Sequence, residues 1–191
     1  MRILVDQDEV ICKWIKRILQ YYNEDHGTNF TDADISTWDV TMNLGPSSEP
    51  ALRAYMRYTE FYKDLEPVDG AIEGMRNLIN LGHDVIIVTA VPKCAGMSYN
   101  GKIEWLRKNM PFFSLDNFIA CKRKDLIKGD VMFDDGFHNI KAFNECSWKE
   151  GRAVKSVLFT RPWNEKEVLE PGMKRVSTWE EFLELIRKLI Y

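Results

Sequence analysis

The sequence predicts an α/β protein built on an open, mostly parallel sheet with helices on both faces, and with a small helical cap inserted after the first strand. Three observations carry this expectation. Short apolar runs alternate with segments of helical period along most of the chain. One run, Asp84 to Ala90 (DVIIVTA), is almost continuously apolar, as a strand covered on both faces must be. Residues 13–70 hold helical text but no strand-like run.

The elements follow in order. Ile3-Leu4-Val5 reads as a short buried strand that stops at Asp6. From Cys12 to Tyr22 the apolar residues Trp14, Ile15, Ile18, Leu19 and Tyr22 share one helical face. Residues 27–50 are rich in Thr, Asp, Ser, Asn and Pro around Trp38, and helical text returns from Ala51 to Tyr62. Pro67-Val68-Asp69-Gly70 is a turn feeding a helix from Ala71 to Leu81, which Gly82 stops. After the strand at 84–90 come a helix from Gly101 to Asn109 ended by Pro111, and a short strand from Phe118 to Cys121. Asp130 to Asp135 (DVMFDD) is a strand with carboxylates at its tip, and a short helix spans His138 to Asn144. Val154 to Phe159 is the last predicted strand, and Thr178 to Ile190 is a final amphipathic helix with Phe182, Leu185, Ile186 and Leu189 inward.

The composition suits one core domain with a modest insertion. There are 191 residues, 45% of them hydrophobic and 29% charged. A net charge of -3 gives no electrostatic reason to bind a nucleic acid polymer or an acidic membrane. Cys12, Cys94, Cys121 and Cys146 form no CxxC pair, and His26, His83 and His138 follow no ligand spacing, which argues against a zinc site. The run Met1 to Val5 is too short for a signal peptide and no stretch approaches the length of a membrane span, so a cytoplasmic location with reduced thiols is expected. Six Trp, seven Tyr and ten Phe exceed what a small core needs, so some are expected to line a pocket.

In open parallel sheets ligands bind beyond the C-terminal strand ends. Here those ends carry Asp6-Gln7-Asp8, Thr89 and Asp134-Asp135, with Lys124 in the loop before the last pair. Any one of these could be a helix cap or loop decoration. Together they would repel unless a cation joined them, and oxygen-only ligands suit magnesium. Magnesium and Lys124 would turn this acidic edge into a phosphate receptor. No Gly-rich phosphate cradle is present, which argues against a kinase or NTPase. A carboxylate is already ionised at neutral pH and can attack without a separate base. Asp6 is the expected nucleophile and Asp8 the acid/base, with Thr89 and Lys124 serving the phosphoryl group.

The combination DxDxV (Asp6, Asp8, Val10), Thr89 after a hydrophobic strand, Lys124 and the Asp134-Asp135 pair resembles the four motifs of the haloacid dehalogenase (HAD) superfamily. Glu60 to Ala71 (EFYKDLEPVDGA), Leu158 to Asn164 (LFTRPWN) and the helix start at Trp179-Glu180 are similar to stretches of the 5'(3')-deoxyribonucleotidases. That resemblance implies a HAD-like Rossmannoid core at 1–12 and 71–191 with a cap at 13–70. It implies magnesium held by Asp6, the backbone carbonyl of Asp8 and one of Asp134 or Asp135. It also implies a small-molecule nucleoside monophosphate substrate, stacked by Trp14, Trp38, Phe61 and Tyr62, and a family whose members are often dimers. The deoxyribose preference comes from the resemblance alone.

The sequence departs from the family pattern in three places. Glu9 stands where the family has a small Gly, Ala90 follows Thr89 where a hydroxyl residue is usual, and Phe61-Tyr62-Lys63 replaces Phe-Phe with a following Arg. Two other readings are a phosphatase for a different small phosphoester and a non-catalytic nucleotide-binding protein. The presence of every motif residue argues against the latter.

Overall fold

A computed structural model describes residues 1–91, 96–149, 151 and 155–190. Cys94 and Val154, which entered the sequence analysis, lie outside the described residues. Six strands, β1 (Arg2–Val5), β2 (Asp84–Thr89), β3 (Phe118–Ala120), β4 (Val131–Asp134), β5 (Lys155–Phe159) and β6 (Met173–Val176), form one sheet in the order β3-β2-β1-β4-β5-β6. Every neighbouring pair is parallel. The order reverses beside β1, so the ends of β1 and β4 open side by side at the switch point.

Strand period two divides the core. Ile3, Val5, Val131, Phe133, Val157 and Phe159 belong to the larger cluster, while Leu4, Met132, Leu158 and Val88 face the other way. The first face is covered by α5 (Ala71–Asn80) and α8 (Trp179–Ile190), whose Met75, Leu78, Phe182 and Ile186 are buried there. The second is covered by Ile140 and Phe143 of α7 (Phe137–Lys149). Phe133 stacks on Phe182 with ring centroids 3.9 Å apart, which sets the last helix directly under the strand that leads into Asp134.

The inserted cap follows β1, as expected. It comprises α1 (Trp14–His26), α2 (Val40–Leu44), α3 (Glu49–Tyr55) and α4 (Thr59–Lys63), with single 3-10 turns between some of them. The predicted face of α1 is the buried one, with Ile15, Ile18, Leu19 and Tyr22 inward, and Gly27 ends the helix in the left-handed conformation at φ 62°.

Some boundaries differ. The helix expected from 51 to 62 is two helices, because Tyr58 is extended and starts α4 anew. The polar stretch 27–50 contains α2, whose N-cap is the Asp39 carboxylate accepting from the Thr41 amide. The helix expected at 101–109 is α6 (Gly96–Asn109), and α7 runs beyond its expected end at Asn144. β6 was not expected. Its sequence MKRV offers only two apolar residues, which suffices at a sheet edge where just Met173 and Val176 need burying. Among the described residues no helix is long and apolar enough to cross a membrane.

Trp179 connects the scaffold to the site. It is buried, donates its indole N–H to the carbonyl of Val10 at 2.8 Å, and lies against Gly74 of α5. A Cβ on Gly74 would stand 2.3 Å from the Trp179 ring, so only glycine permits this approach. Gly74→Ala should cost about 1–3 kcal/mol, as overpacking does, read as a lower urea midpoint. An unchanged midpoint would contradict the packing described.

Candidate active site

The loop after β1 turns tightly. The amides of Ile11 and Cys12 both donate to the carbonyl of Gln7, at 2.9 and 3.0 Å, while Val10 and Ile11 are buried beneath it. This turn leaves Asp6 and Asp8 at the strand end. The Asp6 amide donates to the Phe133 carbonyl at 3.0 Å, so Asp6 stands beside Asp134 through continuation of the β1–β4 pairing.

Asp6, Asp134 and Asp135 are buried, and one carboxylate oxygen from each lies within 4.8 Å of the others. Lys124, from the 3-10 turn Lys124–Leu126, reaches into the group. Its ammonium is 2.7 Å from an Asp6 oxygen and 2.6 Å from an Asp134 oxygen. Asp134 also accepts from the Gly136 amide at 2.8 Å and from the Asn139 side chain at 3.0 Å. Asp135 accepts from the Trp163 indole at 3.0 Å, and its carbonyl accepts from the Asn164 side chain at 2.8 Å.

A second set lies alongside. The ammonium of Lys102, from α6, is 2.6 Å from an Asp8 oxygen and donates to the Thr89 hydroxyl at 3.1 Å. Lys102 is completely buried, 5.0 Å from the centre of the Tyr62 ring. Its helix comes this close to the cap because of Gly101, where a Cβ would lie 2.6 Å from the Thr59 carbonyl oxygen and 2.7 Å from Tyr62. Lys102 was not singled out by the sequence. Its signal was a lysine among the small residues Ser98 and Gly101, on a helix directly following the strand that bears Thr89.

The electrostatics follow from burial. Burial pushes the Asp6 carboxyl up to about 7 against the pull of Lys124, and Asp134 pushes in the same direction as burial. Asp135 is raised by burial and by Asp134 and Asp6. For Lys124 burial alone would lower the ammonium, but Asp134 and Asp6 outweigh it and hold it above its ordinary value. Three carboxyl groups share one ammonium in a buried site, so ionising all of them calls for further positive charge. An all-oxygen donor set of this size fits a hard divalent cation.

The predicted residues thus divide. Asp6, Lys124, Asp134 and Asp135 come together, and Asp8 joins Thr89 through Lys102. The Asp8 carboxylate is turned toward Lys102, and the three-carboxylate group forms without it. Among the aromatics, Phe61 and Tyr62 are buried in the core, and Trp14 is half-buried with its ring centre 6.0 Å from that of Phe61. Trp38 is 57% exposed and meets His138 of the core edge-on at 4.6 Å. Arg161 and Trp163 sit in the loop after β5, where Trp163 touches Asp135 and Arg161 touches Glu9.

An open parallel sheet, a helical cap behind its first strand and acidic residues at the switch point define the fold of a HAD superfamily hydrolase. Solved structures agree on the fold. A HAD family hydrolase from Deinococcus radiodurans, with bound phosphate and sodium, superposes with a TM-score of 0.64 at 12% identity, covering 98% of this chain and 95% of its own. A HAD hydrolase from Bacillus subtilis bound to magnesium gives 0.60 at 15% identity, covering 97% of both chains. Within that superfamily the chain belongs to the family described as 5' nucleotidase, deoxy (pyrimidine), cytosolic type C protein, whose model matches residues 1–190. It is 28% identical over 188 residues to the 5'(3')-deoxyribonucleotidase of Bacillus subtilis, covering 98% of both proteins. Identity to the 5'(3')-deoxyribonucleotidase of Clostridium acetobutylicum is 25% over 173 residues, covering 85% of this chain and 88% of that protein.

The charge arrangement predicts how a cation acts on stability. A carboxyl raised from 3.8 to about 7 in the folded protein favours folding while protonated, and that contribution disappears as pH rises through about 7. With EDTA the melting temperature should fall between about pH 5 and pH 8. A divalent cation at one fixed concentration should raise it more at the higher pH, where a concentration a hundredfold above the Kd corresponds to a stabilisation of about 3 kcal/mol. Equal increments at both pH values, or none, would contradict the site.

Proposed function

We propose that the protein is a magnesium-dependent 5'(3')-deoxyribonucleotidase of the cytoplasm. It would hydrolyse small deoxyribonucleoside monophosphates through an aspartyl-phosphate on Asp6, with residues 1–12 and 71–191 as catalytic core and 13–70 as cap. The observation that carries this reading is the convergence of Asp6, Asp134, Asp135 and Lys124 in one buried patch, with Asp8, Thr89 and Lys102 hydrogen-bonded beside it. The family and the names of the curated relatives support the substrate class.

The carboxylates of Asp6, Asp134 and Asp135, with the backbone carbonyl of Asp8, would hold magnesium. When bound, the ion supplies Lewis-acid polarisation of the phosphoryl group and charge for in-line displacement. An Asp6 oxygen attacks phosphorus, the P–O ester bond breaks, and Asp8 gives a proton to the departing alkoxide. Water then attacks the phosphorus of the aspartyl-phosphate while Asp8 takes its proton, which releases phosphate and restores Asp6. Lys124 and Lys102, with the Thr89 hydroxyl, bind phosphoryl oxygens and offset the developing charge. The cap excludes water from the acyl phosphate.

Trp14 and Trp38 offer the aromatic surface for a base. Phe61 and Tyr62 would support that wall from behind, since both are buried. That burial also favours a second reading, a HAD phosphatase for a smaller phosphoester with less need of stacking.

The test is phosphate release from deoxy- and ribonucleoside 5'- and 3'-monophosphates and from sugar phosphates, with magnesium or EDTA. Magnesium-dependent release from deoxynucleotides is expected, and Asp6→Asn should reduce it by about a thousandfold or more. Release from sugar phosphates alone would establish the second reading, and an active Asp6→Asn enzyme would exclude the mechanism.

A further inference from the structure

Glu9 is the only non-glycine residue with positive φ among the described residues, at 58°. Side chains bearing a Cβ adopt that conformation at a cost, and such strain persists only where surrounding contacts enforce it. Here the contacts are explicit. The Glu9 amide donates to the Cys12 carbonyl at 2.7 Å. Its own carbonyl accepts from Nε of Arg161 at 3.0 Å and from Nη2 of the same guanidinium. The side chain is buried, and one carboxylate oxygen accepts from the Ile15 amide at 2.5 Å while the other lies 3.7 Å from Arg161.

Those contacts join three different parts of the molecule. Ile15 is in the first turn of α1, where the N-cap residue Lys13 makes no side-chain capping bond, so Glu9 caps the helix from outside it. Arg161 begins the loop after β5, and the same loop holds Asp135 through Trp163 and Asn164. Glu9 itself follows Asp8. The two crossings between core and cap lie next to it. Lys13 donates its amide to the Glu66 carbonyl, and the Val68 amide donates to the Ile11 carbonyl, both at 2.8 Å. The Lys13 ammonium meets Asp69 at 2.9 Å. The two chain crossings are thus joined by an isolated antiparallel bridge between Cys12 and Pro67, and Glu9 is bonded to the helix that leaves it.

We propose that Glu9 is a positioning residue: clasped between the Ile15 amide and the Arg161 guanidinium, it locks the loop carrying Asp8 to the root of the cap and fixes the Asp8 carboxyl where the leaving group departs. The kinetic part rests on the function proposed above; the structural part does not. The strained backbone at Glu9 is held by the clasp, and a residue without the carboxylate leaves the first turn of α1 uncapped.

The test compares wild type, Glu9→Ala, Glu9→Gln and Arg161→Gln as full chains. The first readout is hydrogen exchange in the first turn of α1, without substrate. Glu9→Ala and Arg161→Gln should exchange about tenfold faster there, and Glu9→Gln, which retains an acceptor for the Ile15 amide, should recover most of the protection. The second readout is kcat/KM for a deoxynucleoside monophosphate, whose alkoxide needs a proton from Asp8, against p-nitrophenyl phosphate, whose phenolate does not. Glu9→Ala should lose about tenfold more on the nucleotide than on the aryl ester, a part of the 10²–10⁴-fold that general acid catalysis supplies. Equal losses on both substrates would overturn the positioning role, and unchanged exchange would overturn the clasp. Should Glu9→Ala not fold, Arg161→Gln carries both comparisons. Absence of turnover by the wild type on either substrate would overturn the proposed function, and exchange alone would then decide the clasp.

Discussion

A single ammonium group, that of Lys124, stands between carboxylates that the sheet forces together. β1 and β4 are neighbours, so the residues following Val5 and Phe133 meet, and both are aspartates. Lys124 bridges them at 2.7 and 2.6 Å, and Asp135 adds a third buried carboxyl. Such a group is costly to bury, and one lysine offsets only part of the charge. Placed neutral donors, the Gly136 amide, Asn139 and Trp163, ease the burial without cancelling the charge. Surrounding structure thus holds in place an arrangement that would otherwise spread apart, and the same unbalanced charge makes the site receptive to a cation.

The supporting elements can be traced outward from that point. Phe133 and Phe182 stack under the end of β4, and Trp179 ties α8 to the loop after β1 through the Val10 carbonyl. Asn164 spans from the Asp135 carbonyl to the Phe159 carbonyl, so the loop after β5 is fixed at both ends. On the cap side, Gly101 allows α6 to press against α4, and this carries Lys102 inward to Asp8 and Thr89. Two buried lysines, from different elements, therefore serve two acidic groups a few residues apart in the same loop.

Much of this was legible in the sequence. Strands covered on both faces leave apolar runs, and polar residues immediately after them mark the strand ends, so Asp6, Thr89 and Asp134-Asp135 could be placed at one edge. Lys124 was placed with them by its position in the loop before the last acidic pair. Lys102 was not legible, because a lysine inside an amphipathic helix usually faces solvent, and only the close approach at Gly101 buries it. β6 was missed for a related reason: an edge strand needs few apolar residues, and MKRV resembles a loop. The break near Tyr58 was hidden because α3 and α4 carry similar apolar periodicity. Phe61 and Tyr62 were aromatic in the right stretch, but periodicity does not distinguish a core ring from a pocket wall.

The proposed chemistry passes the phosphoryl group of the substrate to Asp6, and the most direct measurement is capture of that state. Enzyme mixed with magnesium and a deoxynucleoside monophosphate would be quenched in acid during turnover and digested, and the peptide bearing Asp6 weighed and fragmented. A phosphoryl increment on Asp6 that vanishes when substrate is exhausted is expected. Turnover with no increment on that peptide, or an increment on another residue, would contradict it.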